Sequence, residues 1–246
     1  MRRFFVPPGS LERETISIEG ELHHHMTRVL RLKIGASVLL ADGEGHEVRG
    51  TIVEVGKESL AVERDTEVLA EAADSGLPIT LYQGLPKGDK LELILQKGTE
   101  LGAAAIVPFQ ADRSVSRIGQ EQLSGKLERW QRIAGEAARQ SQRISLPQIS
   151  FAVGLDEVLA SANHPLKLLL WEEERETRLR RVLENQSAPE SIAVIVGPEG
   201  GLTENEARQA RETGFIPVSL GPRILRTETA GLAILSILQF HWGDIG

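Results

Sequence analysis

The chain has 246 residues, 41% of them hydrophobic, which is enough to bury one large core or two smaller ones. It contains no cysteine, which excludes disulfide bonds, thiolate metal sites and cysteine nucleophiles. The net charge of -7 argues against indiscriminate nucleic-acid binding, so any RNA-binding surface is expected to be a local patch. With no signal-like start and no apolar run of membrane-spanning length, we expect a cytoplasmic protein without membrane contact.

Residues 1–74 carry a pattern of short β-strands separated by turns. Apolar and polar residues alternate around the turn sequence Asp42-Gly43-Glu44-Gly45, which favours an antiparallel connection. The strands are predicted over 37–41, 46–55 and 59–63. This meander indicates a small barrel. Residues 67–76, rich in Ala, Glu, Asp and Ser, are predicted to link it to a second domain at 75–246.

From residue 79 onward, apolar strand-like runs alternate with segments of helical periodicity. Strands are predicted over 79–82, 105–108, 166–171, 192–196 and 216–220, and helices over 90–101, 120–143, 178–185, 204–213 and 229–242. Such alternation implies crossover connections and a mostly parallel sheet with helices on both faces. Because ligands of such sheets bind at the carboxyl ends of the strands, the loops that follow the strands are the candidate site.

The loop after the fourth of these strands is rich in glycine. Gly197-Pro198-Glu199-Gly200-Gly201 follows the strand directly, and Thr203 with Glu206 forms a capping box that begins the next helix. Glycines permit positive φ and a close approach of the backbone to a ligand, and a helix start offers unpaired N–H groups. A tight turn without a ligand explains this loop equally well when it is considered alone.

The loop after the fifth strand, residues 221–231, carries an unusual set of charges. Arg223, Arg226 and Glu228 stand beside two threonines at the carboxyl end of a strand, which is unusual for a simple connection. The alternative is a helix N-cap at Thr227 or Thr229 with a surface Arg–Glu pair. The following helix is apolar on nearly every face, so we expect it to be buried in the domain or against a second subunit.

Several sequence blocks resemble one known family, in the same order along nearly the whole chain. Gly197 to Gly201, Leu220-Gly221 and the segment from Ile224 to Ala230 resemble the signature of the ribosomal RNA small subunit methyltransferase E family, of the SPOUT class. Further similar blocks lie at 2–5, 24–31, 87–90, 96–102, 113–116 and 136–143.

The resemblance implies a fold and an activity that periodicity alone does not indicate. The fold class is then α/β: a PUA-like β-barrel that binds RNA, followed by a SPOUT-type methyltransferase domain with a mostly parallel sheet and a trefoil knot in its C-terminal third. The implied reaction is S-adenosylmethionine-dependent methylation of N3 of a uridine in the decoding region of 16S rRNA, within the 30S subunit. The implied assembly is a homodimer with each active site near the subunit interface.

The resemblance also assigns the cofactor to the loops after the strands. These loops would hold the adenine and methionine portions of S-adenosylmethionine, largely through backbone groups and apolar contacts. The implied cofactor-binding residues are Leu170, Val196, Gly197, Pro198, Glu199, Gly200, Gly201, Leu220, Gly221, Ile224, Leu225, Thr229 and Ala230.

The chemistry of the implied reaction indicates two catalytic residues. Uridine N3 carries a proton, so a base or a group that stabilises the resulting anion would accelerate methyl transfer. Arg226 is the candidate for stabilising negative charge on the uracil oxygens. Glu228 is the candidate base, or it only orients Arg226, and Glu199 in the neighbouring loop is a competing base.

The candidate RNA-binding residues are basic side chains spread along the chain: Arg2, Arg3, His24, Arg28, Arg31, Arg113, Arg139 and Arg143. Phosphate contacts from these residues would position the RNA, while an unstacked base is read in the site. Any single arginine on a helix could instead belong to a solvated face. The three consecutive histidines at 23–25 point in different directions and have no carboxylate at ligand spacing, so no metal site is predicted.

Two other functions remain open from the residues alone. The glycine loop could bind the phosphate of a nucleotide or sugar, although it lacks the lysine of a phosphate-binding loop. A catalytically inactive RNA-binding or ribosome-assembly factor could keep the same fold, although it would have no chemical need for an intact cofactor loop.

Overall fold

The computed structural model describes residues 1–68 and 76–246, so the predicted linker at 67–76 lies mostly outside the described residues. The chain divides into two compact units. The first contains Met1–Asp74, as far as these residues are described, together with Ala138–Leu146. The second contains Ser75–Ala137, again as far as described, and Pro147–Gly246. None of the helices in the described parts of the chain is both long and apolar enough to cross a membrane.

The first unit is built on a five-stranded mixed sheet. Its strands are β1 (Arg2–Phe5), β2 (Thr15–Glu19), β3 (Ser37–Ala41), β4 (Glu47–Val55) and β5 (Ser59–Val68), in the order β1-β3-β4-β5-β2. The predicted meander is present, because β3, β4 and β5 are consecutive antiparallel neighbours. The two edge strands were not predicted: β1 pairs with β3 in parallel, and β2 pairs with β5.

A short helical segment packs against this sheet. Helix α1 (Gly20–His24) continues into a π-helical turn over His25–Val29. Met26 of this turn is fully buried in the core of the unit beside Phe4 and Ile16. The helical segment therefore packs on the sheet through its buried residues, whereas His24 and Arg28 are exposed to solvent.

The second unit contains a six-stranded sheet in which every pairing is parallel. Its strands are β6 (Ile79–Gly84), β7 (Ala105–Phe109), β8 (Gln148–Ile149), β9 (Leu166–Leu170), β10 (Ile192–Val196) and β11 (Ile216–Val218), in the order β11-β9-β10-β6-β7-β8. The parallel sheet that strand–helix alternation predicted is confirmed. The chain steps outward from β6 through β7 to β8, then enters at β9, moves inward to β10 beside β6, and crosses back over β9 to β11. The direction therefore reverses at β10, and ligands commonly bind at such a switch point.

Helices cover both faces of this sheet. They are α2 (Lys90–Glu100), α3 (Gln120–Gln140), α4 (Leu155–Ser161), α5 (Leu179–Glu184), α6 (Glu204–Glu212) and α7 (Thr227–Trp242). Strand β10 shows the arrangement, because Ile192 and Val194 pack in a core with α2 and α7, whereas Ile195 packs in a second core with α4 and α6. Every residue of β10 is buried, as expected for a central parallel strand.

Two element boundaries differ from the sequence prediction near the candidate site. Helix α7 begins at Thr227, two residues before the predicted start at Thr229, and β11 ends at Val218 rather than Leu220. The loop between them is therefore Ser219 to Arg226. Positive φ at Gly221, 130°, turns the chain away from the sheet at this point.

Candidate active site

A cavity of about 610 Å³ lies at the carboxyl ends of β9, β10 and β11. Its walls are the segments that follow these strands, together with the first turns of α2 and α7. The wall residues are Lys90, Leu170, Trp171, Glu172, Glu174, Arg175, Arg178, Val196, Gly197, Pro198, Glu199, Gly201, Val218, Ser219, Leu220, Gly221, Pro222, Arg223, Ile224, Leu225, Arg226, Thr227 and Ala230. A cavity of this size accommodates a nucleoside-sized ligand.

Glycines bring the loop after β10 into contact with the ends of both neighbouring strands. A Cβ on Gly84, the last residue of β6, would lie 2.5 Å from the backbone nitrogen of Pro198. A Cβ on Gly201, which has a φ of +68°, would overlap with the carboxylate of Glu172 beyond β9. Only glycine allows these two approaches, so the loop sequence fixes the shape of the cavity wall.

Lys90 joins three separate segments at the edge of the cavity. Its Nζ donates a hydrogen bond to Oε1 of Glu199 at 2.8 Å and lies 3.5 Å from Oε2 of Glu228. The same Glu199 carboxylate accepts a hydrogen bond from the backbone N–H of Lys87 at 3.1 Å. One ammonium group thus links α2 to the glycine loop and to the first turn of α7.

This arrangement shifts the ionisation of both members of the short pair. Burial disfavours the charged carboxylate of Glu199, but hydrogen bonds from Lys90 and from backbone N–H groups outweigh it and lower its pKa. The hydrogen bond to Glu199 raises the pKa of Lys90 despite some desolvation. At neutral pH, Glu199 is therefore an ionised loop anchor whose oxygens already have donors.

Buried hydrogen bonds hold the start of α7 beside the glycine loop. Fully buried Gln83 donates from Nε2 to Oγ1 of Thr227 at 2.8 Å. The Thr227 hydroxyl in turn donates to the carbonyl of Gly197 at 2.6 Å. The alternative of a threonine N-cap is wrong, because Arg226 occupies the N-cap position and no side chain caps it.

The two predicted catalytic residues differ in their surroundings at this helix start. Arg226 is exposed on the cavity wall, and its guanidinium makes no hydrogen bond or ion pair with any residue that the structure describes. Glu228 is not on the wall. Its Oε2 is buried without a hydrogen-bond partner, 3.5 Å from Lys90, so the predicted surface Arg–Glu pair is also absent from the described residues.

Most of the predicted cofactor-binding residues line the cavity, and two do not. Gly200 and Thr229 are the exceptions. Gly200 instead faces Arg113, since its Cβ would lie 3.0 Å from the Arg113 Cβ. Thr229 stands between Thr227 and Ala230, which are one helical turn apart and both face the cavity, so its side chain points elsewhere.

The structure brings in wall residues that sequence reasoning did not assign. Trp171, Glu172, Glu174, Arg175 and Arg178 follow β9, and Lys90 begins α2. These residues after β9 could have been assigned to the site from the sequence, because ligands of parallel sheets bind in the segments that follow the strands.

The predicted RNA-binding residues differ in how free their side chains are. Arg2, His24, Arg28 and Arg31 are exposed in the first unit, and Arg139 and Arg143 are partly buried there. Arg3 is engaged by the carboxylate of Glu47 and the carbonyl of Gln142, which gives it a role in the fold.

Arg113 is in the second unit and supports the glycine loop. Its Nη1 donates to the carbonyl oxygens of Gly200 at 3.2 Å and Leu202 at 3.3 Å. Among the consecutive histidines, His23 is buried near the carbonyl of Gly56, whereas His24 is exposed. The histidines therefore do not share one face.

Comparisons with known proteins agree with this architecture. Residues 73–239 match the family described as RNA methyltransferase domain, and residues 18–63 match the RNA methyltransferase PUA domain. The ribosomal RNA small subunit methyltransferase E of Bacillus subtilis is 37% identical, with 98% of this chain and 97% of that protein covered.

Solved structures show the same fold over the whole chain. The Neisseria gonorrhoeae ribosomal RNA small subunit methyltransferase E, bound to S-adenosylmethionine, superposes with a TM-score of 0.87 at 33% identity, and all of both chains is covered. A Legionella pneumophila methyltransferase in complex with S-adenosylmethionine gives 0.87 at 34% identity, with 98% of each chain covered.

The fold, the cavity and these matches define the class of protein. The chain is an RNA methyltransferase with a PUA-like unit and a SPOUT-type α/β-knot domain, as the sequence blocks predicted. Within that class it belongs to the ribosomal RNA small subunit methyltransferase E family. This membership favours a methyltransferase over a phosphate-binding enzyme as the explanation of the glycine loop.

Proposed function

We propose that this enzyme transfers a methyl group from S-adenosylmethionine to N3 of a uridine in the decoding region of 16S rRNA, within the 30S subunit. The observation that carries the proposal is the cavity at the strand ends, whose wall combines the backbone of the glycine loop with the exposed guanidinium of Arg226. Because its substrate is ribosomal RNA, we propose that the enzyme acts in the cytoplasm.

The cavity fits the proposed cofactor in size and in chemistry. Glycine backbone at 197 and 201 gives access to main-chain donors and acceptors, and Leu170, Leu220 and Ile224 offer apolar surface. S-adenosylmethionine held by these residues would supply an electrophilic methyl group bonded to its sulfonium. What the protein must add is alignment and the exclusion of water.

Between the two candidate bases, the contacts favour Glu228. Glu199 is held by Lys87 and Lys90, and its lowered pKa makes it a weak proton acceptor. Glu228 has a buried Oε2 that makes no hydrogen bond, and the Lys90 ammonium lies 3.5 Å from it. In the proposed mechanism, Glu228 takes the N3 proton at the start of α7, where Thr227 and Ala230 beside it form the cavity wall, and Lys90 keeps this carboxylate in place.

Arg226 acts on the uracil oxygens in the same mechanism. Loss of the N3 proton spreads negative charge over the two carbonyl oxygens of the base, and a fixed cation lowers the energy of that anion. The guanidinium is available for this because its backbone, not its side chain, occupies the N-cap of α7.

The RNA contacts are assigned to the exposed basic residues of each unit. Arg2, Arg28 and Arg31 carry exposed positive charge in the PUA-like unit, where His24 is also exposed, and phosphate contacts there would position the RNA. Arg113 borders the cofactor loop, so its contact with RNA would also affect that loop.

We further propose that the enzyme is a homodimer. Phe240 and Ile237 on α7 are 70% and 37% exposed and line a groove of about 520 Å³. Leu220 and Gly221 line both this groove and the cofactor cavity. A second subunit seated on this apolar face would therefore complete the surroundings of the active site.

The assignment of the cofactor to this cavity is tested with Ala230→Leu, which adds bulk on the cavity wall in a helix that tolerates leucine. We expect calorimetric titration to show tight binding of S-adenosylmethionine to the unaltered protein and at least about a hundredfold weaker binding to the variant. A variant that stays folded and binds normally would remove this cavity as the cofactor site.

A further inference from the structure

Three carboxylates line the cofactor cavity, and two of them already have partners. Glu199 is bonded to Lys87 and Lys90. Glu174 accepts hydrogen bonds from the backbone N–H groups of Glu176 and Thr177, and it lies 3.6 Å from Arg211. Glu172 is exposed on the wall and has no hydrogen bond or ion pair with any residue in the described part of the chain.

Glu172 is placed by the end of a strand and by the glycine loop. It stands two residues beyond the end of β9, and its carboxylate lies against the Cα of Gly201, where any side chain would displace it. The carboxylate therefore rests on the glycine loop at the wall of the cavity. An acidic side chain in the loop after a parallel strand is a common acceptor for ribose hydroxyls in nucleotide-binding sheets.

We infer that Glu172 is a cofactor-binding residue whose carboxylate accepts hydrogen bonds from the polar donors of S-adenosylmethionine, and that Gly201 makes room for it. This rests on the proposed function, in which the cavity holds that cofactor. Two groups of the cofactor offer such donors, the ribose hydroxyls and the α-ammonium. Both would bind a carboxylate through charge-assisted hydrogen bonds, which are stronger than neutral ones.

The test compares Glu172→Gln with Glu173→Gln. The two changes remove the same charge from adjacent exposed positions, but Glu173 is not on the cavity wall. Calorimetric titration with S-adenosylmethionine is expected to show a Kd at least about tenfold higher for Glu172→Gln and a Kd within about twofold of the unaltered protein for Glu173→Gln. Thermal unfolding of both variants checks that they are folded.

A second ligand identifies the donor group. Methylthioadenosine keeps the ribose and lacks the amino acid, so a tenfold loss with this ligand as well assigns Glu172 to the ribose. A loss confined to S-adenosylmethionine assigns it to the ammonium.

The inference is overturned if Glu172→Gln binds S-adenosylmethionine as the unaltered protein does, or if both glutamines weaken binding equally, which would indicate long-range charge alone. The Ala230→Leu variant distinguishes a wrong role for Glu172 from a wrong assignment of the cofactor to this cavity. If Ala230→Leu abolishes binding while Glu172→Gln does not, only the role of Glu172 is lost. If both variants bind normally, the cofactor site itself is misplaced.

Discussion

Glu199 and Glu228 both lie within ion-pair distance of Lys90, yet their surroundings suit one to anchoring a loop and the other to accepting a proton. Glu199 has donors on its oxygens and anchors a loop, whereas Glu228 keeps one buried oxygen without a hydrogen bond. A proton acceptor needs an available lone pair, and a loop anchor needs saturated ones. The distinction could not be drawn from the sequence, in which both residues simply stand in charged loops.

At this scale, we expect Glu228→Gln to lower the rate of methyl transfer by roughly 10² to 10⁴, because the amide cannot accept the N3 proton. The deficit should shrink as the pH rises, since the imide then ionises without help. Transfer measured at saturating S-adenosylmethionine over a pH series tests this. A deficit that is the same at every pH would assign Glu228 a structural role only.

The residues that sequence reasoning missed are those whose partners lie far away in the chain. Lys90 contacts Glu199 and Glu228, each more than a hundred positions later, and no local pattern encodes such a meeting. The glycine loop and Arg226 were found because their sequence pattern is itself local. Their roles in binding and catalysis stay predictions until variants are measured.

Among the elements, the glycine loop depends on contacts from β6, α2 and α7 for its shape. The pair of Lys90 and Glu199 is the charged part of this support. Since the pKa of Glu199 is lowered, the pair stabilises the fold above the ordinary Glu value of 4.5 and loses this effect as the pH falls through the lowered value. Since the pKa of Lys90 is raised, the effect persists up to its ordinary value of 10.5 and disappears as the pH rises through the raised one.

We therefore expect the stability difference between the unaltered protein and Glu199→Gln to be constant between about pH 5.5 and 9.5 and to shrink on either side. Its size should be small, because the pair is partly exposed. Urea unfolding at a series of pH values measures it. A difference that grows toward acid pH would contradict the lowered pKa of Glu199.

The elements that the sequence predicted well are those with a clear period and local ends. Helix α6 follows a capping box in which Thr203 and Glu206 exchange hydrogen bonds, and it was placed within one residue. Strand β1 was not predicted because it pairs in parallel with β3, and a parallel pair has no hairpin turn that could be recognised in the sequence. The start of α7 was placed too late because Thr227 is fixed by Gln83, a contact across the fold.

For the whole molecule, the apolar face of α7 with Ile237 and Phe240 is a surface that a single chain leaves exposed. We expect Phe240→Glu to weaken self-association by about 2 kcal/mol or more, roughly thirtyfold in Kd, because a charge would be buried at the interface. Val153, which is 64% exposed elsewhere, provides the control Val153→Glu. Sedimentation of both variants distinguishes them, and unchanged association of Phe240→Glu would place the interface on another surface.

The proposed methylation of uridine N3 in 16S rRNA is tested by identifying the nucleoside that the enzyme makes. Small subunits purified from cells lacking the modification are incubated with the enzyme and S-adenosylmethionine, and the digested RNA is examined by mass spectrometry. We expect one 3-methyluridine per subunit, at a decoding-region position, and none with Arg226→Ala. A methyl group on another base or another atom, or no transfer by an enzyme that binds the cofactor, would contradict it.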